Sequence, residues 1–114
     1  MRYLAIWRPA SGEEGAMPSP AHMAEMGKLV EEHMKAGNLI TTEPLAPRAA
    51  GVRVTRSGDR YTVSDETERA GGYAILQADS KEDVIEQTKA FLAVAGDGVS
   101  EVRQILEFVP PPTR

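Results

Sequence analysis

The sequence predicts an α+β domain in which two helices cover one face of an antiparallel sheet. Two segments have the apolar spacing of amphipathic helices, and four short apolar runs have the composition of strands. They follow one another as strand, helix, strand, strand, helix, strand, with a short hairpin inserted between the second and third strands. A chain of 114 residues is expected to form one domain.

The clearest signals lie between Gly71 and Ala95. Two glycines lead into the run Tyr-Ala-Ile-Leu-Gln-Ala, which predicts a buried strand. Ser80 and Asp83 then resemble a capping box at the start of a helix. The apolar side of this helix repeats at helical spacing and comprises Val84, Ile85, Thr88, Phe91, Leu92 and Ala95.

The first strand is predicted over residues 3–7 and carries apolar side chains on both faces, which indicates that both faces are covered. The first helix is predicted to begin with Ser19 as N-cap and Pro20 at its first position. Gly37 is predicted to end it in the left-handed conformation. The face expected to pack in the core comprises Met23, Met26, Leu29, Val30 and Met34.

The remaining elements complete a split βαβ, or ferredoxin-like, order. A second strand is predicted over residues 39–43, a hairpin over 52–56 and 60–64, and a last strand within 99–109. Residues 11–18 and 65–69 read as connections, and the three prolines from Pro110 predict an extended tail over residues 110–114.

Composition excludes several classes of protein. The net charge of −4 argues against a nucleic-acid surface, and no apolar run approaches the length of a membrane helix. The apolar run at the start of the chain is too short for a signal peptide, and a charged residue follows it too soon, so a cytoplasmic protein is expected. Without cysteine, and with His22 and His33 about 16 Å apart along one helix, we expect neither a metal site nor a cofactor.

Two helices can cover only one face of the predicted sheet. The other face keeps part of the apolar residues of the first and third strands, and an uncovered face of this kind is usually a partner site. We therefore expect a homodimer that buries the helix-free face of the sheet.

Much of the chain resembles the YCII-related family, and more narrowly its bacterial branch named for an Asp-Gly-Pro-Phe motif. The resemblance is carried by residues 18–32 with Lys35-Ala36-Gly37, by residues 42–47, by Gly71-Gly72-Tyr73, by residues 79–86 and by residues 101–104. It implies one YCII-related domain over residues 1–109 that pairs into a dimeric α/β barrel. The naming motif is shortened here, and Asp65 is its only residue that carries over.

The family resemblance also points to catalysis at His22, because Pro20-Ala21-His22 matches the related branch in which a helix histidine is a proposed catalytic residue. A neutral imidazole is expected there, since the positive end of a helix dipole disfavours imidazolium. Asp65 or Glu43 could then orient the ring. The alternatives are a surface histidine without chemistry and, for Glu43, an edge-strand charge.

Three further residues are candidates for ligand binding. Trp7 and Tyr73 could form the walls of a pocket for a planar ligand, although sheet aromatics more often form a dimer core. Arg103 could bind a ligand carboxylate, or simply pair with Glu101 or Glu43.

Three functions remain open from the sequence. The first is a binding or regulatory dimer for a small molecule, without catalysis. The second is a cofactor-free isomerase, lyase or dehydrochlorinase that acts on an aromatic-derived acid with His22 as base; members of the resembled family are implied to include a dehydrochlorinase. The third is a purely structural dimer. A pocket lined only by aromatic residues and methionines would favour the first. An enclosed polar pocket containing His22 and a carboxylate would favour the second, and a filled sheet interface the third.

Overall fold

The computed structural model describes residues 1–10 and 19–107, and of residue 48 the backbone alone. The predicted loop at residues 11–18 and the predicted tail at residues 110–114 lie outside the described residues. The elements are β1 (Arg2–Pro9), α1 (Pro20–Ala36), β2 (Leu39–Pro44), a short 3₁₀ turn (Arg48–Ala50), β3 (Arg53–Ser57), β4 (Arg60–Ser64), β5 (Gly72–Gln77), α2 (Lys81–Ala95) and β6 (Gly98–Gln104).

Four strands form one antiparallel sheet in the order β2-β5-β1-β6, and β3 and β4 form a separate two-stranded hairpin. With the hairpin set aside, the chain runs strand, helix, strand, strand, helix, strand. The first and third of these strands lie at the centre. The predicted α+β class with an antiparallel sheet and two helices is confirmed, and the strand order is consistent with a ferredoxin-like fold.

The helix boundaries follow from local chemistry that was readable in the sequence. The Ser19 hydroxyl accepts a hydrogen bond from the backbone N–H of His22 at 3.2 Å, which satisfies one of the free donors at the start of α1. At the start of α2, the Ser80 hydroxyl accepts a hydrogen bond from the backbone N–H of Asp83 at 3.1 Å. At the other end of α1, Gly37 has φ of 81°, the left-handed conformation predicted for it.

The hydrophobic core lies at one end of the layer between sheet and helices. Val84 of α2 packs against Tyr3 and Ala78. The exposed fractions of these three residues are 2% for Val84, 6% for Tyr3 and 5% for Ala78. Leu76 and Val102 complete the cluster. The amino group of Met1 donates to the Ala78 carbonyl oxygen at 3.0 Å and so ties the start of the chain to the same end of the sheet.

The first helix does not share in this core. None of the described residues of α1 is buried, and Met23 and Met34 are 51% and 45% exposed. The expectation that the methionines of α1 form a packed core is therefore wrong for the single chain. Of the predicted face, Met23, Met26 and Val30 do border the space between α1 and the sheet. The periodicity carries no information about how closely the helix approaches the sheet.

Side chains of the sheet alternate between two environments. Ala5 and Trp7 face the helices, whereas Leu4 and Ile6, which alternate with them along β1, face the opposite side. Ile75 is paired with Leu4, so it lies on that opposite side as well. Neither helix packs on this apolar face, which we call the helix-free face.

Replacing Gly37 with valine should lower the free energy of unfolding by about 1 kcal/mol or more, because a β-branched residue is strained at a positive φ. Nothing surrounds a Cβ built at Gly37, so backbone strain alone would cause the loss. Chemical denaturation of the two proteins measures it.

The matched control is Gly27→Ala, in the middle of α1, where a Cβ also meets nothing within 4 Å. There the change should stabilise the fold by about 0.5–1 kcal/mol, because alanine loses less conformational entropy in a helix than glycine. Equal stability of Gly37→Val and the parent protein would contradict the role assigned to Gly37.

Candidate functional site

A cavity of about 880 Å³ lies between the two helices and the sheet. Its walls are mostly apolar and come from every main element of the fold. The sheet and the segments next to it contribute Ala5, Trp7, Pro9, Thr42, Glu43, Pro44, Leu45, Pro47, Gly71, Gly72, Tyr73, Ala74, Leu76 and Ser100; the helices contribute His22, Met23, Met26, Val30, Gln87, Thr88, Phe91 and Ala95.

The cavity exists because side-chain size changes along the sheet. At the core end, Tyr3 is paired with Leu76, and these large side chains fill the space beneath α2. Two residues further along, Ala5 is paired with Ala74, and beyond them Gly72 is opposite Trp7. Small residues at the centre of the sheet cannot reach the helices, so the layer stays open at this end.

Trp7 is the largest side chain in the cavity wall, and its position is closely defined. Its ring meets Phe91 of α2 edge to face, with 5.8 Å between centroids and 84° between planes. A Cβ at Gly71 would lie 2.9 Å from the indole, and a Cβ at Gly98 would clash with it. These glycines therefore leave the room that the indole occupies.

Few polar side chains border the cavity, and three of them already have partners. The Thr88 hydroxyl donates to the Val84 carbonyl oxygen at 2.7 Å, and the Thr42 hydroxyl donates to the Tyr73 carbonyl oxygen at 3.0 Å. Gln87 Nε2 donates to the Gln77 carbonyl oxygen at 3.2 Å, whereas Gln87 Oε1 is buried and has no partner among the described residues. Half-buried His22 also borders the cavity, from the first turn of α1. Among the described residues, none forms a hydrogen bond or ion pair with its imidazole.

The sheet register separates Glu43 and Tyr73 from this site. Both are paired at the level of Ile6, so their side chains lie on the helix-free face, and they border the cavity from the sheet backbone. There the Tyr73 hydroxyl donates to Glu43 Oε2 at 2.8 Å. This hydrogen bond to a carboxylate raises the pKa of Tyr73 above its ordinary value, with the negative charge of Glu43 adding to the effect.

The two remaining candidates also lie away from the cavity. Asp65 is exposed in the segment after β4, and Arg103 is exposed on β6, paired with Leu4 on the helix-free face. The ion pair predicted between Arg103 and Glu101 is not formed; Glu101 instead accepts a hydrogen bond from Arg8 at 2.6 Å. Of the six candidate residues, the fold therefore brings the side chains of His22 and Trp7 to one cavity.

Sequence reasoning missed several residues of the site. Phe91 was assigned to the apolar side of its helix without a site role, and Met23 and Met26 were assigned to the core. A usable signal was present in the strands. Small residues, namely Ala5, Gly72 and Ala74, occupy three of the strand positions whose side chains face the helices. Small residues facing a helix layer predict a gap there.

Two classes of site receive no support from the described residues. Across residues 1–10 and 19–107, no three histidine, aspartate or glutamate side chains gather closely enough to hold a metal ion. Neither described helix has the length and hydropathy needed to cross a membrane.

Comparison with known proteins gives the fold and the family. A solved structure of 5-chloro-2-hydroxyhydroquinone dehydrochlorinase (TftG) from Burkholderia phenoliruptrix AC1100, in complex with 2,5-dihydroxybenzoquinone, is similar with a TM-score of 0.59. The match covers 95% of this chain and 96% of that one at 18% identity, which establishes similarity of fold alone. No curated protein sequence matches significantly. The family model of the YCII-related domain matches residues 1–109, and the chain therefore belongs to the YCII-related family.

Proposed function

We propose that this YCII-related protein is a homodimer that binds a small planar molecule in the cavity between helices and sheet. The cavity carries the proposal, because its volume of about 880 Å³ lies within the range of small-molecule sites. Its walls have the composition of such sites as well, with aromatic and aliphatic side chains and few polar groups. A purely structural dimer would not require this space.

The chemistry of the walls favours an aromatic ligand. The indole of Trp7 and the ring of Phe91 offer aromatic surfaces for stacking or edge contacts. Met23 and Met26 offer flexible, polarizable side chains that adapt to a flat ring. The imidazole of His22 is then available to a polar substituent of the ligand.

A second candidate function is cofactor-free elimination from an aromatic substrate, with His22 as general base. One observation favours it: the His22 imidazole borders the cavity and has no protein partner among the described residues. The solved structure with a similar fold is a dehydrochlorinase in complex with a hydroxylated quinone. In such a step the base would take a hydroxyl proton from the keto tautomer of the substrate, the released electron pair would form a quinone carbonyl, and the bond from the tetrahedral ring carbon to chlorine would break to release chloride. Glu43 and Asp65 remain proposed orienting groups, although a single chain keeps both away from the imidazole.

The dimer is proposed to form through the helix-free face. Leu4, Ile6 and Ile75 give this face an apolar centre, and Tyr73 and Glu43 lie beside it. Arg103 would border the interface rather than the cavity, so a role in binding a ligand carboxylate would require a ligand at the dimer interface.

Ligand binding can be followed through Trp7, the only tryptophan of the chain. We expect 2-naphthol and 2,5-dihydroxybenzoquinone to change its fluorescence with saturable titrations. Ala95→Phe should weaken both by at least tenfold, because the added ring would fill part of the cavity.

Ala93→Phe is the matched control, since it places the same ring on the exposed side of the same helix. Equal affinities of the two variants would place binding elsewhere. If neither compound altered Trp7 emission at millimolar concentration, the proposed binding function would be wrong.

The interface is tested by Ile75→Lys, which places a charge at the centre of the helix-free face. Sedimentation velocity at micromolar concentration should show a dimer for the parent protein and a shift toward monomer for the variant. Ile85→Lys makes the same change on exposed α2 and should leave the dimer intact. A monomeric parent protein would refute the proposed dimer.

Catalysis is tested separately by His22→Ala, with His33→Ala as the control on the same helix. If His22 is a general base, its loss should lower chloride release from 5-chloro-2-hydroxyhydroquinone by about 100-fold or more while aromatic binding persists. Similar rates of chloride release in both variants, or no chloride release by the parent protein, would contradict the catalytic role of His22. The binding function would then be the one that remains.

A further inference from the structure

The indole ring of Trp7 lies across the end of the sheet, and a glycine on each side fixes its orientation. A Cβ built at Gly98, on β6, would clash with Cζ3 and Cη2 of the six-membered ring. A Cβ built at Gly71 would lie 3.2 Å from Nε1 of the five-membered ring. Gly71 donates to the Trp7 carbonyl oxygen and accepts from the Leu45 N–H, so it lies on the β2 side of β1. The indole nitrogen is therefore on the side of the cavity away from β6.

His22 borders the cavity on that same side and at the same end of the sheet. The first helix contacts β2, whereas the second contacts β6. The first helix has 17 residues, is about 25 Å long, and ends just before Leu39, which is paired with Leu76 at the level of Tyr3. Its first turn, which carries His22, therefore lies at the opposite end of the sheet, where Trp7 lies.

The indole N–H of Trp7 is a donor without an acceptor among the described residues, and its nitrogen is not enclosed. Gln87 Oε1 differs, because it is fully enclosed and out of reach of a ligand. The Ser100 hydroxyl and the His22 imidazole border the cavity and are also unpartnered in the described part of the chain. Each of them can donate or accept a hydrogen bond, whereas an indole nitrogen only donates. Trp7 is therefore the group that requires one particular chemistry of a ligand, an acceptor.

We propose that the indole N–H of Trp7 determines the ligand class of the cavity by donating a hydrogen bond to a carbonyl or phenolate oxygen of a planar ligand. The inference rests on the proposed binding function and deepens it. Water can satisfy the N–H in the empty cavity. A bound hydrocarbon would displace that water and leave the donor unpaired, whereas a ketone or a phenolate would replace it. The ligand thus carries an oxygen acceptor on the edge that faces α1 and packs the rest of its ring against apolar walls.

Nuclear magnetic resonance tests the hydrogen bond directly, because Trp7 is the only tryptophan and gives the one indole N–H signal of a nitrogen-15-labelled chain. The probes are 1-indanone and indane, which share a bicyclic shape and differ in one carbonyl oxygen. We expect 1-indanone to move the indole proton signal downfield, because a hydrogen bond deshields the proton. Indane should produce no downfield shift, although both compounds should perturb the backbone amide signal of Phe91 in the cavity wall.

Affinities measure how far the N–H discriminates. Calorimetry gives the preference for 1-indanone over indane in the parent protein and in Trp7→Phe, which keeps an aromatic ring and removes the donor. We expect this preference to fall by about fivefold or more, the effect of one lost hydrogen bond. The change in ring size affects both ligands alike and cancels in the ratio. Phe91→Leu is the matched control: it alters the aromatic wall, so it should weaken both ligands and keep the preference.

The outcomes separate this inference from the binding function on which it rests. An unchanged preference in Trp7→Phe would overturn the donor role while aromatic binding stands. So would bound 1-indanone that leaves the indole proton signal unmoved or moves it upfield. If the parent protein bound neither probe and did not bind 2-naphthol, the binding function and the donor role would both be refuted. Should Trp7→Phe fail to fold, the indole signal of the parent protein decides the question.

Discussion

The packing of Val84 against Tyr3 and Ala78 holds the second helix to one end of the sheet, and the rest of the structure depends on it. Further along, the ring of Phe91 meets Trp7 edge to face, and between these two levels Ala5 and Ala74 lie beneath the helices. Small residues at this level of the sheet leave space between the sheet and the helices. The cavity is therefore a consequence of the core, because large side chains are used at one level of the strands and small ones two residues further along.

The sheet also separates two kinds of chemistry that are close in sequence. Ile6 and Trp7 are neighbours in β1, yet Trp7 belongs to the cavity and Ile6 to the helix-free face. In the same way, the backbone around Glu43 and Tyr73 borders the cavity while their bonded side chains point to the other side. If the proposed dimer forms, a ligand and a partner would press on opposite sides of the same strands. Binding at one site would then change the affinity of the other site to the extent that it shifts β1.

The single chain leaves much of its apolar surface unburied, in α1 and in the hairpin alike. Ligand and partner would each add stability by binding the folded chain and not the unfolded one. If both bind, their contribution would offset the small core of a domain that keeps an open cavity and an extended hairpin.

Local sequence determined a large part of this protein: Ser19, Gly37 and Ser80 mark helix ends, and alternating residues mark strands and their faces. These predictions succeed because capping and side-chain alternation depend on neighbours in the chain. The composition of the site was decided only by tertiary structure. Sequence grouped His22 with Glu43 and Asp65 as one catalytic set, but strand register turns the Glu43 side chain away from the helices and Asp65 lies beyond the hairpin. Small residues in the strands hinted at a gap beneath the helices. Which side chains line that gap, and which meet, depends on pairings between segments distant in sequence, and no local pattern encodes those pairings.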